Sequence, residues 1–194
     1  MTVLIATDVF GITPAVNSLA RSLGGKCQLV SPFEDNTGAF HSEQKAYHAF
    51  VAQGGVAGYA GKLRSLLQES VGQIRFAIGF SAGASALWLG SEAEEFGSLQ
   101  QLTLFYGSRI RDYASLKPRC PARLIFAERE PAFDAAALVA ELGSRGHRAE
   151  VAKNTSHGFM NPYSGGYCVK SNTRYIEELA AMLRAGYACS AKAA

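Results

Sequence analysis

The residues of this chain most suited to chemistry are Gly79, Ser81 and Gly83, which form a Gly-x-Ser-x-Gly pattern. Apolar residues precede the pattern over 74–78, and a helix-like run follows it over 84–89. A serine at a sharp strand-to-helix turn adopts a strained backbone and projects its Oγ from the carboxyl edge of the sheet. The glycines lack a Cβ, so the helix can fold back beside the strand. The pattern predicts a nucleophile at Ser81; the alternative is a glycine-rich turn without a catalytic role.

A serine hydroxyl needs a neighbouring general base, and the chain contains four histidines. His157 follows the predicted strand 148–153, so it is expected at the same sheet edge as Ser81. We predict His157 as the base; the alternative is a loop histidine bonded to backbone. His147 precedes the same strand and is expected at a solvated turn on the opposite edge. His41 and His48 are expected on a helix surface.

An acid should orient the base, and in this architecture it follows a strand between the serine and the histidine. Glu130 stands at such a turn, just before Pro131, and is the first choice. Asp134, one turn into the following helix, is the alternative. Glu128 is expected to cap the turn or to pair with an arginine. All three carboxylates can also be interpreted as solvated groups at a helix N-terminus, where acids are favoured in any case.

The negative charge that develops on an attacked carbonyl needs preorganised N–H donors. The donors expected here are the backbone amides of Ala82, after the nucleophile, and of Val9 or Phe10, after the first strand. Gly11 lets that loop turn close to the site. The alternative interpretation of residues 8–11 is a simple turn before a helix N-cap.

The elements that position these residues alternate between apolar strands and amphipathic helices, which predicts an α/β fold with a doubly wound, mostly parallel sheet. Thr13 is the predicted N-cap of the first helix, with Pro14 at its first position. The glycines over 54–61 follow a helix rather than a strand, so they predict a flexible connection and not a dinucleotide loop. Strands are predicted over 2–6, 27–30, 74–79, 102–106, 122–127 and 148–153, and later helices over 43–51, 61–71, 84–90, 133–142 and 175–183.

Composition favours an ordinary globular protein with one domain over 1–194. Hydrophobic residues make up 48% and charged residues 18% of the chain, and the net charge of +3 is not clustered, so neither nucleic acid nor membrane is an expected partner. The N-terminal apolar run is interrupted by Asp8 and has no basic residues before it, unlike a secretion signal. The four scattered cysteines favour reduced thiols and a cytoplasmic location.

Four segments together resemble the dienelactone hydrolase family of α/β-hydrolases: residues 8–14 (DVFGITP), 79–83 (GFSAG), 126–131 (FAEREP) and 157–162 (HGFMNP). The resemblance implies the α/β-hydrolase fold, with about six strands and helices on both faces, and without the family's N-terminal antiparallel strands. It also implies a triad of Ser81, Glu130 and His157, with an oxyanion hole formed by Val9 and Ala82.

The chain departs from the pattern of the best-known family members. They have a cysteine where Ser81 stands, a glutamate at position 8, an aspartate at position 130, and a carboxylate-binding arginine near Asn161. Arg109 or Arg111 is a candidate replacement for that cation, although pairing with acids such as Asp112 is the alternative. The side chains expected to contact the substrate are Asp8, Phe10, Arg109 and Phe159.

The predicted function is therefore a serine hydrolase that cleaves a small carboxylic ester or lactone through an acyl-enzyme, with no metal and no organic cofactor. A thioesterase or acyl-transferring enzyme with the same triad is one alternative. A non-catalytic binding protein on the same fold is another. The protein is expected to be a monomer or a homodimer.

Overall fold

The computed structural model describes residues 2–34, 40 and 42–191. These residues form six strands and six α-helices that largely alternate along the chain, with short 3₁₀ turns over Glu94–Ser98 and Ser108–Tyr113. The strands are β1 (Thr2–Ala6), β2 (Lys26–Val30), β3 (Ile74–Phe80), β4 (Gln101–Phe105), β5 (Ala122–Arg129) and β6 (Arg148–Ser156). The helices are α1 (Pro14–Ser22), α2 (Glu43–Ala52), α3 (Gly55–Glu69), α4 (Ala82–Gly90), α5 (Ala135–Ser144) and α6 (Val169–Ala191).

All six strands lie parallel in one sheet, in the order β2-β1-β3-β4-β5-β6. The chain adds β2 on one side of β1 and then returns to place β3 on the other side. The loops after β1 and β3 therefore leave the sheet on either side of a switch point, where α/β sheets form their binding crevices. The predicted doubly wound sheet of about six strands is confirmed.

Helices cover both faces of the sheet, and each face has its own apolar core. On one face α1 and α6 pack on alternate residues of the central strands, such as Val3 and Ile5. On the other face α2, α3, α4 and α5 pack on the intervening strand residues, such as Leu4 and Ala6. Strands buried on both sides explain the continuous apolar runs of the sequence.

Local signals account for the start of α1. The Thr13 hydroxyl accepts a hydrogen bond from the Val16 amide at 3.3 Å, and Pro14 occupies the first turn. This is the predicted cap, because a threonine side chain satisfies an amide that the helix leaves free.

The prediction of a flexible connection over 54–61 is wrong, since α3 begins at Gly55 and includes Gly58 and Gly61. Only a short turn separates it from α2, with Gly54 at a φ of 88°. A Cβ at Gly58 would lie 2.7 Å from the Gln53 carbonyl oxygen, so this glycine permits the tight corner between the two helices. Local helix propensity is low here, and tertiary packing overrides it.

Long-range contacts hold α3 against the strands. The buried Tyr59 hydroxyl donates to the Val30 carbonyl at 2.6 Å. The Lys62 ammonium donates to the carbonyls of Ser31 and Phe33 at 2.9 and 2.8 Å. These hydrogen bonds hold α3 against the carboxyl end of β2 and the loop that follows it.

The later elements are longer than predicted. β5 continues to Arg129 and β6 to Ser156, with a register shift between Ala127 and Arg129. α6 spans Val169–Ala191 rather than 175–183. The added N-terminal residues 169–174 are mostly polar and give no apolar face from which to predict them. Among the described residues, no helix has both the length and the apolar character that a membrane crossing requires.

Candidate active site

Ser81 lies at a strained turn between β3 and α4, with φ 48° and ψ −105°. A Cβ at Gly79 would lie 2.7 Å from the Ala84 Cα, and one at Gly83 would lie 2.3 Å from the Ala6 carbonyl oxygen. Both distances are too short for any side chain, so the two glycines are required for α4 to pack against the sheet. The unfavourable backbone of a non-glycine residue is the geometry of a nucleophile elbow.

The structure brings Ser81, His157 and Glu130 together in one hydrogen-bonded chain. Ser81 Oγ lies 2.9 Å from His157 Nε2, and His157 Nδ1 lies 2.7 Å from Glu130 Oε2. The Glu130 side chain is 0% exposed and that of His157 is 22% exposed. Because Nδ1–H donates to the buried carboxylate, the Nε2 lone pair faces the serine hydroxyl, as a general base requires.

The ends of β5 and β6 position the acid and the base. The Ala127 amide donates to Glu130 Oε1 at 3.3 Å, and the His157 amide donates to the Arg129 carbonyl at 3.3 Å. Glu130 directly follows β5, after the register shift in its pairing with β6. The strand pair therefore holds the carboxylate and the imidazole in fixed relation.

The other candidate acids have different partners. Asp134 is the N-cap of α5 and accepts hydrogen bonds from the amides of Ala136 and Ala137 at 2.9 and 3.1 Å. Glu128 accepts from the Asn154 amide at 2.9 Å and pairs with Lys153 at 3.2 Å. The structure thus brings only the first of the three predicted carboxylates to His157.

The remaining histidines lie away from Ser81 or outside the described residues. His147 is half-buried, with its ring edge-on to Trp88 at a centroid distance of 5.2 Å, so the expectation of a solvated turn residue is wrong. Burial lowers the pKa of its imidazole. His48 is exposed on α2, and His41 lies outside the described residues.

Two backbone amides beside Ser81 are free to bind an anionic oxygen. The amides of Val9 and Ala82 form no hydrogen bond within the described part of the chain, and both residues line the cavity over Ser81. The Phe10 amide instead donates to Asp8 Oδ1 at 2.9 Å. Of the two amides considered in the loop after β1, those of Val9 and Phe10, only that of Val9 is therefore available to an anionic oxygen.

A cavity of about 820 Å³ opens over Ser81. Val9, Ala82, His157 and Glu130 lie at its floor, α2 and the start of α3 form one wall, and residues 108–113 form another. Arg109, an expected substrate contact, lines this second wall. A volume of this size suits a small-molecule ligand.

Asp8, another expected substrate contact, lies buried in the loop after β1 and does not line the cavity over Ser81. Its Oδ2 accepts a hydrogen bond from Asn161 Nδ2 at 2.6 Å, and it borders a separate cavity of about 300 Å³. Burial raises the pKa of the Asp8 carboxyl to about 6, against the opposing hydrogen bonds from the Phe10 amide and Asn161. The pair joins this loop to the segment that follows His157.

Phe10 and Phe159 do not line the cavity over Ser81 either. Phe10 is buried and packs against Tyr163, at a ring-centroid distance of 6.3 Å. Phe159 is fully buried between Phe105, Tyr106 and Tyr175. Both aromatic rings support the loops of the site from within the core.

Sequence reasoning missed Tyr106, which packs against the predicted base. Its buried ring is edge-on to His157 at a centroid distance of 5.2 Å, and its φ is 40°. Tyr106 directly follows β4, as Ser81 directly follows β3. This position at the carboxyl end of a strand was the signal that could have placed Tyr106 near the site. The apolar side chains with which α2 lines the cavity were missed as well, because the sequence predicted this helix without an orientation.

No group of three or more histidine, cysteine, aspartate or glutamate side chains within the described ranges is placed to hold a metal ion.

No protein-family model matches the chain. The uncharacterised protein YczH of Bacillus subtilis strain 168 is 31% identical over 169 residues, which cover 84% of this chain and 82% of YczH.

Several solved structures share the fold at low sequence identity. A Klebsiella pneumoniae protein described as a dienelactone hydrolase has a TM-score of 0.71 at 15% identity, over 93% of this chain and 85% of its own. P91, a dienelactone hydrolase-like promiscuous phosphotriesterase from metagenomic libraries, has a TM-score of 0.69 at 16% identity, over 93% and 84%. An α/β serine hydrolase homologue from Coxiella burnetii has a TM-score of 0.58 at 16% identity, over 94% and 85%.

The structural likenesses extend over more than nine-tenths of the chain and agree with its six-stranded parallel sheet surrounded by helices. The resemblance seen in the sequence is confirmed at the level of the fold. The chain belongs to the family of YczH and has the dienelactone hydrolase-like α/β-hydrolase fold.

Proposed function

We propose that this protein is a serine hydrolase that cleaves a small carboxylic ester or lactone. The observation that carries the proposal is the hydrogen-bonded chain from Ser81 Oγ through His157 to the buried Glu130 carboxylate. Support also comes from the solved neighbours, which include proteins described as a dienelactone hydrolase and a serine hydrolase homologue.

In the proposed reaction, His157 Nε2 takes the Ser81 proton as Oγ attacks the substrate carbonyl carbon. The amides of Val9 and Ala82 donate to the oxyanion of the tetrahedral intermediate. The C–O bond to the leaving group then breaks, and His157 gives its proton to the departing oxygen. This step leaves an acyl group on Ser81. An ester releases an alcohol as the first product, whereas a lactone keeps the new hydroxyl on the acyl chain.

Water completes the cycle. His157 Nε2 takes a proton from a water molecule, which attacks the acyl carbon and forms a second tetrahedral intermediate. Its collapse returns the proton to Ser81 Oγ and releases the carboxylic acid. Glu130 keeps the imidazole oriented throughout and stabilises its cationic form.

The proposal includes a small-molecule substrate and a monomer or homodimer as the active unit. It also includes a cytoplasmic location, supported by the free thiols of Cys27, Cys120 and Cys168, which are typical of a reducing compartment.

A thioester substrate would react with the same Ser81, His157 and Glu130 side chains. Comparing turnover of an acyl thioester with that of the matching oxygen ester would distinguish the two substrate classes.

The test is labelling of the purified protein by a fluorophosphonate together with hydrolysis of 4-nitrophenyl acetate and butyrate. We expect both in the wild type and neither in Ser81→Ala. Ser22→Ala, at an exposed position of α1, is the matched control and should behave as wild type. A folded wild-type protein that is not labelled and turns over no ester or thioester would favour the non-catalytic binding protein.

A further inference from the structure

Apolar side chains line the cavity over Ser81 on two sides. Tyr47, Phe50 and Val51 of α2 line one side, with Val56 of α3 beside them, and Tyr113 faces the cavity from the opposite segment. We call these five residues the apolar wall. Ser81, Ala82 and His157 line the same cavity, so a chain attached to the reacting carbonyl has a continuous path to the apolar wall.

Three members of the apolar wall are unusually exposed for their type. Tyr47 is 50%, Val51 53% and Tyr113 38% exposed. Among the described residues, six large hydrophobic side chains are exposed to this degree, and half of them meet at this cavity. Apolar surface gathered beside reactive groups is typical of a ligand-binding site, because covering it removes it from water.

The guanidinium groups beside the cavity already have partners. Arg109 Nη1 lies 3.3 Å from Asp112 Oδ2, and Arg111 Nε lies 3.6 Å from Asp112 Oδ1. Arg111 also donates to the Ser108 carbonyl, and its guanidinium lies over the Phe133 ring at 5.5 Å. The shared carboxylate offsets the positive charge that would otherwise attract an anion.

Two glutamates line the cavity itself, whereas Asp112 lies beside it. Glu43 stands at the N-terminal end of α2, and Glu130 lies buried against His157. With Asp112, three carboxylates accompany the two guanidiniums of Arg109 and Arg111. Among the described residues of the cavity, an anionic substrate group would therefore leave water without gaining a cation that is free of other partners.

We propose, on the basis of the proposed function, that the natural substrate is an uncharged ester with an apolar acyl chain that lies on the apolar wall. A substrate with a carboxylate at the end of that chain is disfavoured. The site differs in this respect from one built to bind a carboxylated lactone.

The first experiment compares initial rates on the 4-nitrophenyl esters of acetate, butyrate and hexanoate with those on mono-4-nitrophenyl adipate. Adipate and hexanoate acyl chains have the same carbon number and differ in a terminal carboxylate. A fully buried methylene is worth about a fourfold factor in affinity. Because the wall is half-exposed, we expect kcat/KM to rise about tenfold from acetate to hexanoate, and to be about tenfold lower for adipate than for hexanoate.

The second experiment replaces the two most exposed side chains of the apolar wall. In the double variant Tyr47→Ser with Val51→Ser, the hexanoate-to-acetate ratio of kcat/KM should fall to within about threefold of unity, since the lost surface is what favours the longer chain. Both positions are exposed, so the fold should tolerate the changes. Val71→Ser, at a position 63% exposed and outside this cavity, is the matched control and should keep the wild-type ratio.

The outcomes separate this inference from the proposed function. Hydrolysis with no chain-length preference, adipate cleaved as fast as hexanoate, or an unchanged ratio in the double variant would each overturn the inference while Ser81 chemistry stands. If the wild type is neither labelled at Ser81 nor active on any ester, the proposed function fails and this inference fails with it.

Discussion

Glu130 and Asp134 are four positions apart and of the same charge, yet they have different surroundings. Glu130 is fully buried against His157, whereas Asp134 is exposed and caps α5. We expect Glu130→Gln to lower kcat by about 10³–10⁴-fold, because an amide neither holds the required tautomer nor stabilises the imidazolium. Asp134→Asn should retain wild-type kcat, since asparagine is an equally good N-cap. Steady-state kinetics of the two variants test the assignment, and the reverse pattern would contradict it.

Tyr106 supports the base through its ring rather than its hydroxyl. The hydroxyl is buried and forms no hydrogen bond within the described residues. We expect Tyr106→Leu to lower kcat about tenfold to a hundredfold with little change in KM, because His157 loses the ring that packs against it. Misplacement of a catalytic group by about 1 Å can cost about a hundredfold in rate.

The conservative variant Tyr106→Phe keeps the ring and should recover most of kcat. Thermal denaturation of both variants serves as the control for folding. Equal losses of kcat in the Leu and Phe variants would show that the hydroxyl, and not the ring, is what His157 depends on.

At the level of single residues, pattern and spacing predicted which groups the structure brings together, Ser81, His157 and Glu130, since loops at one sheet edge converge. They did not predict the surroundings of Asp8, Phe10 and Phe159. These side chains also follow strands, but they turn into the core, and the direction of a side chain in a loop depends on packing against distant elements. The pairing of Asp8 with Asn161 joins positions 153 apart and has no local signal.

At the scale of elements, the close approach of α4 to β1 depends on Gly83. An added methyl group would meet the Ala6 carbonyl at 2.3 Å, against backbone that has little room to move. We expect Gly83→Ala to destabilise the protein by about 2 kcal/mol or more. The measurement is unfolding by urea.

Gly61→Ala is the matched control for that substitution. Gly61 lies in α3, is exposed, and has nothing within 4 Å of an added Cβ. Alanine there should stabilise the protein by about 0.5–1 kcal/mol, because it restricts the unfolded chain. If both variants lose similar stability, the close contact at Gly83 is not the reason for its glycine.

The strands and the capped helix α1 follow from local patterns, because apolar runs and a Thr-Pro start are physical causes of those elements. The helix α3 does not, because its first turns contain Gly55, Gly58 and Gly61, and glycine disfavours a helix by about 1 kcal/mol relative to alanine. The contacts of Tyr59 and Lys62 with β2 and the loop after it compensate for that cost. Such contacts are visible only after the fold is known.

For the whole molecule, Asp8 links stability to pH. Its carboxyl pKa is raised from 3.8 to about 6, chiefly by burial, so the folded protein binds this proton more tightly than the unfolded chain. The stability that Asp8 contributes is therefore full below about pH 4 and is lost as the pH rises through about 6. The total change is about 2–3 kcal/mol.

The measurement is the free energy of urea unfolding between pH 4.5 and 7 for the wild type and Asp8→Asn. The wild type should lose stability relative to the variant as the pH rises over this interval, because only the wild type releases the buried proton. A constant difference between the two proteins would mean that Asp8 has the same pKa in the folded and unfolded states.

The three groups of the hydrogen-bonded chain are divided unequally across the sheet. Glu130 and His157 follow the adjacent strands β5 and β6, and the backbone of Arg129 is bonded to that of His157, whereas Ser81 follows β3, two strands from β5. We therefore expect fluctuations of the sheet to change the Ser81–His157 distance more than the His157–Glu130 distance. The His157 imidazole then keeps its orientation through such fluctuations, and the approach of the Ser81 hydroxyl determines when attack can occur.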